Sequence, residues 1–375
     1  MTTPQLMAAP LGQPDLSQPY VLAWYGCDLR SGTIIEDLRS LTPGGALTRR
    51  LGTHTTLSAT LGLPGAPPDW EAATDQGRSL LVAVDTATDT PIWAGLTLTR
   101  TGGSAQSVDL QLATPEAYLD RRYTGTINLV QQDQATVCTA ILGPSMTDGP
   151  PFTLDAPATG VLVDYSVQDG DDRTALSALQ ELMGAEGGPE WTVDVAWNGS
   201  HDGFVLPIRI RPTVGVQSVS PEAVFDFPGC VTSYDLTESY EAGKGATVVQ
   251  ARGEGEGDGR LSSSAYTADA LISSGWPRWV YRFTPSAGQN DPTQLNAHAS
   301  KALTLMQTGA RVWQVEAAAS VAPRLGRDWG LGDTVRIAIE TSPRHPAGAD
   351  VVARAWAWEL EPGSNQVRPI LVEDD

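Results

Sequence analysis

The stretch "PIWAGLTLTRTGGSAQSVDLQLAT", residues 91–114, decides the fold class. Ile92, Ala94, Leu96 and Leu98 alternate with other residues, and Val108, Leu110 and Leu112 do so again after a short polar link. Period-two alternation places every second side chain on one buried face, the signature of antiparallel strands. "TGGSAQS" between them has the length and composition of a hairpin turn. Upstream, "HTTLSATLGLP" repeats the pattern with Thr55, Leu57, Ala59 and Leu61. Downstream, "TPEAYLDRR" predicts a short helix with Thr114 as N-cap, Pro115 in the first position and Glu116 in the first turn.

The pattern changes between residues 126 and 222. "DDRTALSALQELMGAEGG" predicts a helix capped by Asp171 or Asp172, with Leu176, Leu179, Leu182 and Met183 as its apolar stripe and Gly184–Gly188 as its stop. "WTVDVAW" and "FVLPIRIRP" form a hairpin around "NGSHDG", so this part reads as a compact α+β unit. From residue 223 strands return in "VTSYDLTESYE", "ATVVQARGEGEGDGR" and "RWVYRF". One helix follows, with Asp291 as N-cap, Pro292 at its first position and Gln294 completing a capping box. Its stripe is Leu295, Ala299, Ala302, Leu303 and Met306, and Gly309 ends it. "VWQVEAAASVA", "DTVRIAIE", "VVARAWAWEL" and "VRPILVE" close the chain as four strands. In "DWGLGDTVRI", Gly330 and Gly332 make a tight turn that Asp333 stabilises, and Trp356, Trp358 and Leu360 share one face of the following strand.

The expected class is therefore mainly β with an α+β insertion. A flexible arm spans 1–19, a first β-rich domain 20–125, the α+β middle 126–222 and a second β-rich domain 223–375. The first and last thirds share a recipe without a detectable sequence repeat. A chain of 375 residues is long enough for two or three such units.

Composition excludes several function classes. Cys27, Cys138 and Cys230 are odd in number and far apart, which fits reduced core thiols rather than a disulfide framework or zinc site. No signal peptide opens the chain, and no apolar run is long enough for a membrane helix. A net charge of −20, from 44 acidic and 24 basic residues, argues against gripping nucleic acid. The densest basic pairs are only Arg49-Arg50 and Arg121-Arg122.

Candidate chemistry is equally sparse. "GEGEGDGR" at 253–260 lacks the closing carboxylate of a calcium loop and reads as a hairpin tip. "QDGDDR" at 168–173 places its aspartates where a helix N-terminus favours negative charge. "LGLPGAPP" at 61–68 has no phosphate-loop lysine. His54, His201, His298 and His345 show no metal-ligand spacing, and no GxSxG nucleophile elbow occurs. Paired carboxylates for glycoside cleavage stay open, since their spacing is spatial. Eleven tryptophans keep a carbohydrate-binding or wall-degrading alternative in view, although Trp93, Trp313, Trp356 and Trp358 fall in strands where packing is the default. No catalytic, cofactor or metal residue is assigned.

"PIWAGLTLTR…VDLQLATPEAYLDRR", followed by "LGDTVRI…RAWAWELEP", resembles the tail-tip or baseplate hub proteins of long-tailed actinobacteriophages, minor tail proteins of the Gp37-like group. The resemblance covers about residues 20 to 372. It implies two tail-tube-like β-barrel domains flanking a smaller α+β region, and a homotrimeric ring whose six barrels continue a six-fold tube. The implied partners are the distal tail protein, tail tube, tape-measure protein and a central tip or fibre. The implied location is the virion tail tip, after assembly in the host cytoplasm. The genome would pass through an acidic lumen without specific binding, and the role would be structural rather than enzymatic. Some relatives carry a C-terminal host-binding or wall-cleaving module; here "VRPILVEDD" ends the sequence, so those activities are expected in other tail proteins.

Overall fold

The structure, a computed structural model, describes residues 19–257, 259–285 and 291–373. The expected arm lies outside the described residues except for Pro19. The fold is mainly β, built on two large sheets. The first runs Leu41–Pro43, Thr56–Gly62, Ser107–Ala113, Thr90–Gly102, Ser79–Asp85, Leu22–Asp28, Ile34–Asp37 in spatial order. The second runs Val231–Ser239, Ala310–Ala318, Gln366–Val372, Ala349–Glu361, Thr334–Ile339, Val224–Phe227.

The opening five strands of the two paths correspond one for one. Each goes first, second, fifth, fourth, third in chain order, with antiparallel neighbours throughout. The shared recipe of the first and last thirds is thus a structural repeat of strand order. The fourth strand of each path is 13 residues long and carries one extra residue against its hairpin partner. That residue is Leu98 in the first sheet, where Thr97 faces Leu112 and Thr99 faces Gln111. In the second it is Trp356, between Ala355 opposite Leu371 and Ala357 opposite Ile370.

These bulges correct two expectations. Leu98 does not share the buried face of Ala94 and Leu96; it is 52% exposed, because the extra residue shifts the alternation by one. Ile92, an extra residue between the Val84–Pro91 and Ala83–Trp93 pairs, packs with Trp93 in the other core. Trp358 and Leu360 are buried together, whereas Trp356 is only half-buried against the same core.

The two sheets are not independent. One continuous core draws Leu57, Leu61 and Leu110 from the first and Trp313, Val335 and Leu371 from the second. Leu47–Arg50, from the first third, pairs antiparallel with Ala357–Leu360 of the second sheet. Ser79–Asp85 is buried along its whole length. Leu81 and Ala83 face the shared core, while Leu80, Val82 and Val84 face the α+β unit. "SLLVAVD" is accordingly a continuous apolar run rather than an alternating one.

The α+β unit has Glu190–Val193, Phe204–Arg211 and Phe152–Asp155 as a sheet, with Ala196–Trp197 completing the expected hairpin. Helices Gln134–Leu142 and Ala175–Gly184 pack on it, beside a ribbon of Ile127–Asp133 and Leu162–Val167. The cap of Ala175–Gly184 is Thr174, whose hydroxyl accepts from Ser177 N at 3.2 Å, not Asp171 or Asp172. Asp172 is left-handed (φ 48°), so the chain turns before the helix begins. Likewise Thr114 does not cap Glu116–Leu119; its hydroxyl accepts from Thr55 N at 3.0 Å, tying the helix start to the neighbouring strand.

Val248–Ala251, Tyr266–Thr267 and Val280–Phe283 leave the large sheet and form a small one of their own. It packs on helix Pro292–Met306 through Val249, Ala251, Leu295 and Ala299. Asp291 caps that helix by accepting from Thr293 N at 2.8 Å, and Gly309 follows it with φ 82°. Arg252 and Ser262, on either side of the stretch read as a hairpin tip, form an isolated antiparallel bridge. No helix among the described residues is long and apolar enough to cross a membrane.

Candidate functional site

The corner "GLGDT" is a junction. Asp333 accepts from Gly330 N at 2.7 Å and from Val216 N at 2.6 Å, closing its own turn and fixing the chain that leaves the α+β unit. Gly332 has φ 88°, and a Cβ there would sit 2.4 Å from the Val214 carbonyl, so only glycine fits. The Gly332 carbonyl accepts from Arg354 Nε at 3.1 Å and from Gln217 Nε2 at 2.9 Å.

Three buried arginines join the parts of the chain. Arg354 of the second sheet grips Glu190 of the α+β unit with two bonds, at 2.9 and 2.5 Å, and donates to Val214 O at 3.0 Å. Arg49 donates to Glu116 Oε1 at 3.1 Å, Thr192 Oγ1 at 3.0 Å and Val193 O at 2.6 Å. Arg324 of the second sheet's connecting loop holds Asp85 of the first at 2.5 and 2.7 Å, with its guanidinium 4.7 Å from the Tyr20 ring. Burial alone would raise the Asp85 pKa, but Arg324 and the bonds from Ala87 and Thr88 outweigh it and hold the carboxyl below its ordinary range. Sequence reading treated Arg49 only as half of a basic pair. A pairing across 164 residues, as between Glu190 and Arg354, leaves no local trace.

Where the three parts meet lies a cleft of about 1000 Å³, walled by Asp89–Ile92, Asp194–Trp197 and Arg327–Asp333. Its carboxylates are largely committed: Asp194 pairs with Arg209, and Asp328 with Arg327 at 2.7 Å. Arg327 holds the Asp328 carboxyl below its usual range, against a smaller opposing effect of burial. Such a site offers paired charges and apolar walls.

The residues weighed in the sequence are dispersed. Trp93, Trp313 and Trp358 are in the core, so they form no sugar platform. Trp313 Nε1 donates to Glu373 at 2.5 Å. Trp276 and Trp279 are the exposed ones. His201 stacks on Trp197 with ring centroids 3.9 Å apart, and His345 Nδ1 meets Tyr234 OH at 2.7 Å. His298 is buried against Gly184 O at 3.0 Å, and His54 is half-buried in the first third. Cys27, Cys138 and Cys230 are free and buried, and burial pushes each thiol up to about 12. Among the described residues no three His, Cys, Asp or Glu side chains group as metal ligands would.

No family model matches the sequence, and no curated protein is similar to it. Solved structures are similar in fold. The tail protein of Neisseria meningitidis MC58 superimposes with a TM-score of 0.59 at 12% identity, covering 95% of this chain and 97% of that one. The fold is that of phage tail proteins. The prophage MuSo2 43 kDa tail protein of Shewanella oneidensis gives 0.55 at 10% identity, over 94% of this chain and 97% of that one. Prophage tail protein gp18 of Listeria monocytogenes EGD-e gives 0.52 at 10% identity, over 94% of each. Near-complete coverage on both sides makes the α+β unit and the small three-stranded sheet part of this tail-protein fold rather than additions to it.

Proposed function

We propose that the protein is a structural virion component, the hub at the tail tip of a long-tailed phage, in the manner of the Gp37-like minor tail proteins it resembles. The observation that carries the reading is the repeated five-strand path, in a fold that matches a tail protein along nearly its whole length. In both sheets the two outermost strands are neighbours in sequence: Ile34–Asp37 with Leu41–Pro43, and Val224–Phe227 with Val231–Ser239. That arrangement suits sheets closing into barrels, which removes open edges. Two barrels per chain and three chains per ring supply six copies, the number a six-fold tube needs above them. The three buried arginine pairs suit such a part, because they hold the sheets and the α+β unit in one orientation.

The reading makes the distal tail protein, tail tube, tape-measure protein and a central tip or fibre the neighbours, and gives the chain no catalytic role. A net charge of −20 favours passage of a genome through the ring without adhesion. Cryo-electron microscopy of intact tails, with mass photometry of the purified chain, tests it. Three copies in a ring at the tail tip is the expected result; a chain absent from the tail, or six copies, overturns it.

A further inference from the structure

We infer that the open strand edge at Val280–Phe283 is a subunit contact that receives the apolar, acidic ribbon of a second copy of this chain. The inference rests on the ring-forming reading above and names the surfaces that build the ring.

Two groups stand out among the exposed large apolar side chains, others of which, such as Val219 and Leu305, lie elsewhere. Trp276, Trp279 and Val280 are 39, 52 and 56% exposed; Val130, Val161 and Leu162 are 64, 38 and 58% exposed. Contiguous apolar surface of this kind marks an interaction site more than scattered exposure does.

Val280–Phe283 is an outer strand, paired only with Val248–Ala251 among the described residues. The carbonyls of Trp279 and Phe283 accept from Val248 N and Arg252 N. Alternation along the strand then turns the backbone groups of Val280 and Arg282 outward, an edge ready for pairing. The side chains of Arg278, Val280 and Arg282 are all exposed. Neither arginine has an acidic partner among the described residues, whereas Arg49, Arg324, Arg336, Arg344, Arg354 and Arg368 all do. Two unpaired cations around a valine, in a chain of net charge −20, call for carboxylates from outside.

The second patch supplies them. Among the described residues the ribbon strands Ile127–Asp133 and Leu162–Val167 pair only with each other. Exposed Asp164 accepts from Gln131 N at 2.7 Å, and exposed Asp169 and Asp172 lie in the turn just past Val167. The strands Leu162–Val167 and Val280–Phe283 are six and four residues long, so the first can cover the second along its whole length. Two different patches meeting make a head-to-tail contact, which closes into a ring when the rotation allows.

Sedimentation velocity of the purified full chain at micromolar concentration tests this. The unaltered chain is expected as a closed oligomer. Arg278→Glu with Arg282→Glu should shift it to monomer, weakening association at least ~10-fold. Adding Asp169→Lys and Asp172→Lys in the same chain reverses both charges and should restore the oligomer. An oligomer unmoved by the arginine changes, or not restored by the double reversal, overturns the assignment while leaving the ring reading standing. An unaltered chain that stays monomeric at about 100 μM overturns both. All four positions are exposed, and an unchanged circular dichroism spectrum checks that the variants fold.

Discussion

Replacing Arg354 by methionine isolates the strongest link between the second sheet and the α+β unit. The Arg354 and Glu190 side chains are 6 and 11% exposed, so this is a buried pair and the small worth of surface ion pairs does not apply. Arg354→Met leaves the Glu190 carboxylate buried without its counter-charge and strips two donors from the Gly332 and Val214 carbonyls. Breaking such a pair from one side costs about 3–5 kcal/mol, most of it the stranded charge. Glu190→Gln keeps an acceptor for Val214 N, which Glu190 now takes at 2.8 Å. The double variant Arg354→Met/Glu190→Gln should therefore recover about 2 kcal/mol or more relative to the sum of the single changes. Urea unfolding followed by tryptophan fluorescence reads all three. Arg336→Met is the control: its partner Asp350 is 59% exposed, and no measurable change is expected. A single Arg354→Met loss below about 1 kcal/mol, or strictly additive losses, would refute the view that this pair holds the two parts together.

Other consequences follow from single positions. Gly332→Ala should cost at least about 2 kcal/mol, whereas Gly77→Ala, with positive φ but open space, should cost about 1; equal losses would remove the close approach to Val214 from the argument. Leu96→Ala should cost about 2–4 kcal/mol and Leu98→Ala under about 0.5, and a reversed order would place the bulge elsewhere. Burial, and to a lesser degree Lys301, lowers the His298 pKa against the opposing bond to Gly184 O. The folded state thus binds fewer protons than the unfolded one, so stability should fall as pH drops below about 6.5. His298→Gln should flatten the profile below about pH 6.5, and parallel profiles would exclude His298 as the cause. Native Cys27, Cys138 and Cys230 should resist a maleimide at neutral pH and react once urea is added; fast native labelling would contradict their burial.

Legibility in the sequence followed the range of the forces involved. Alternation is local, so the hairpin at 91–114 and the closing strands read directly. The cap at Asp291 was equally plain, because the residue, its proline and its helix are adjacent. Thr114 and Asp172 misled for one reason: each has the right chemistry for a cap, but a tertiary demand took precedence. The hydroxyl of Thr114 is used by Thr55 across a strand gap, and Asp172 occupies a left-handed turn. Helix Gln134–Leu142 escaped notice because it is short and its exposed residues, Thr136 and Thr139, carry no charge to mark a polar face, although Val137, Cys138, Ile141 and Leu142 keep helical spacing. Arg49, Arg324 and Arg354 were illegible in principle, since what defines each is a partner far along the chain.

The two bulges show that geometry, rather than residue type, is what repeats in this fold. An extra residue exists only relative to a partner's register, so neither strand alone reveals it. Yet Leu98 and Trp356 occupy corresponding strands of equal length, opposite the corresponding partner, without similarity between the surrounding sequences. One side chain is a branched aliphatic left exposed, the other an aromatic half-buried under Arg354. A shared side-chain preference therefore does not place them. What the sites share is the need of a long strand to bend: beyond Leu98 the first strand runs on to its turn, and beyond Trp356 the second swings to pair with Leu47–Arg50. A bulge increases local twist and redirects a strand. In the second sheet that redirection adds a strand pairing between the last third of the chain and the first, beside the Arg324–Asp85 pair and the shared core.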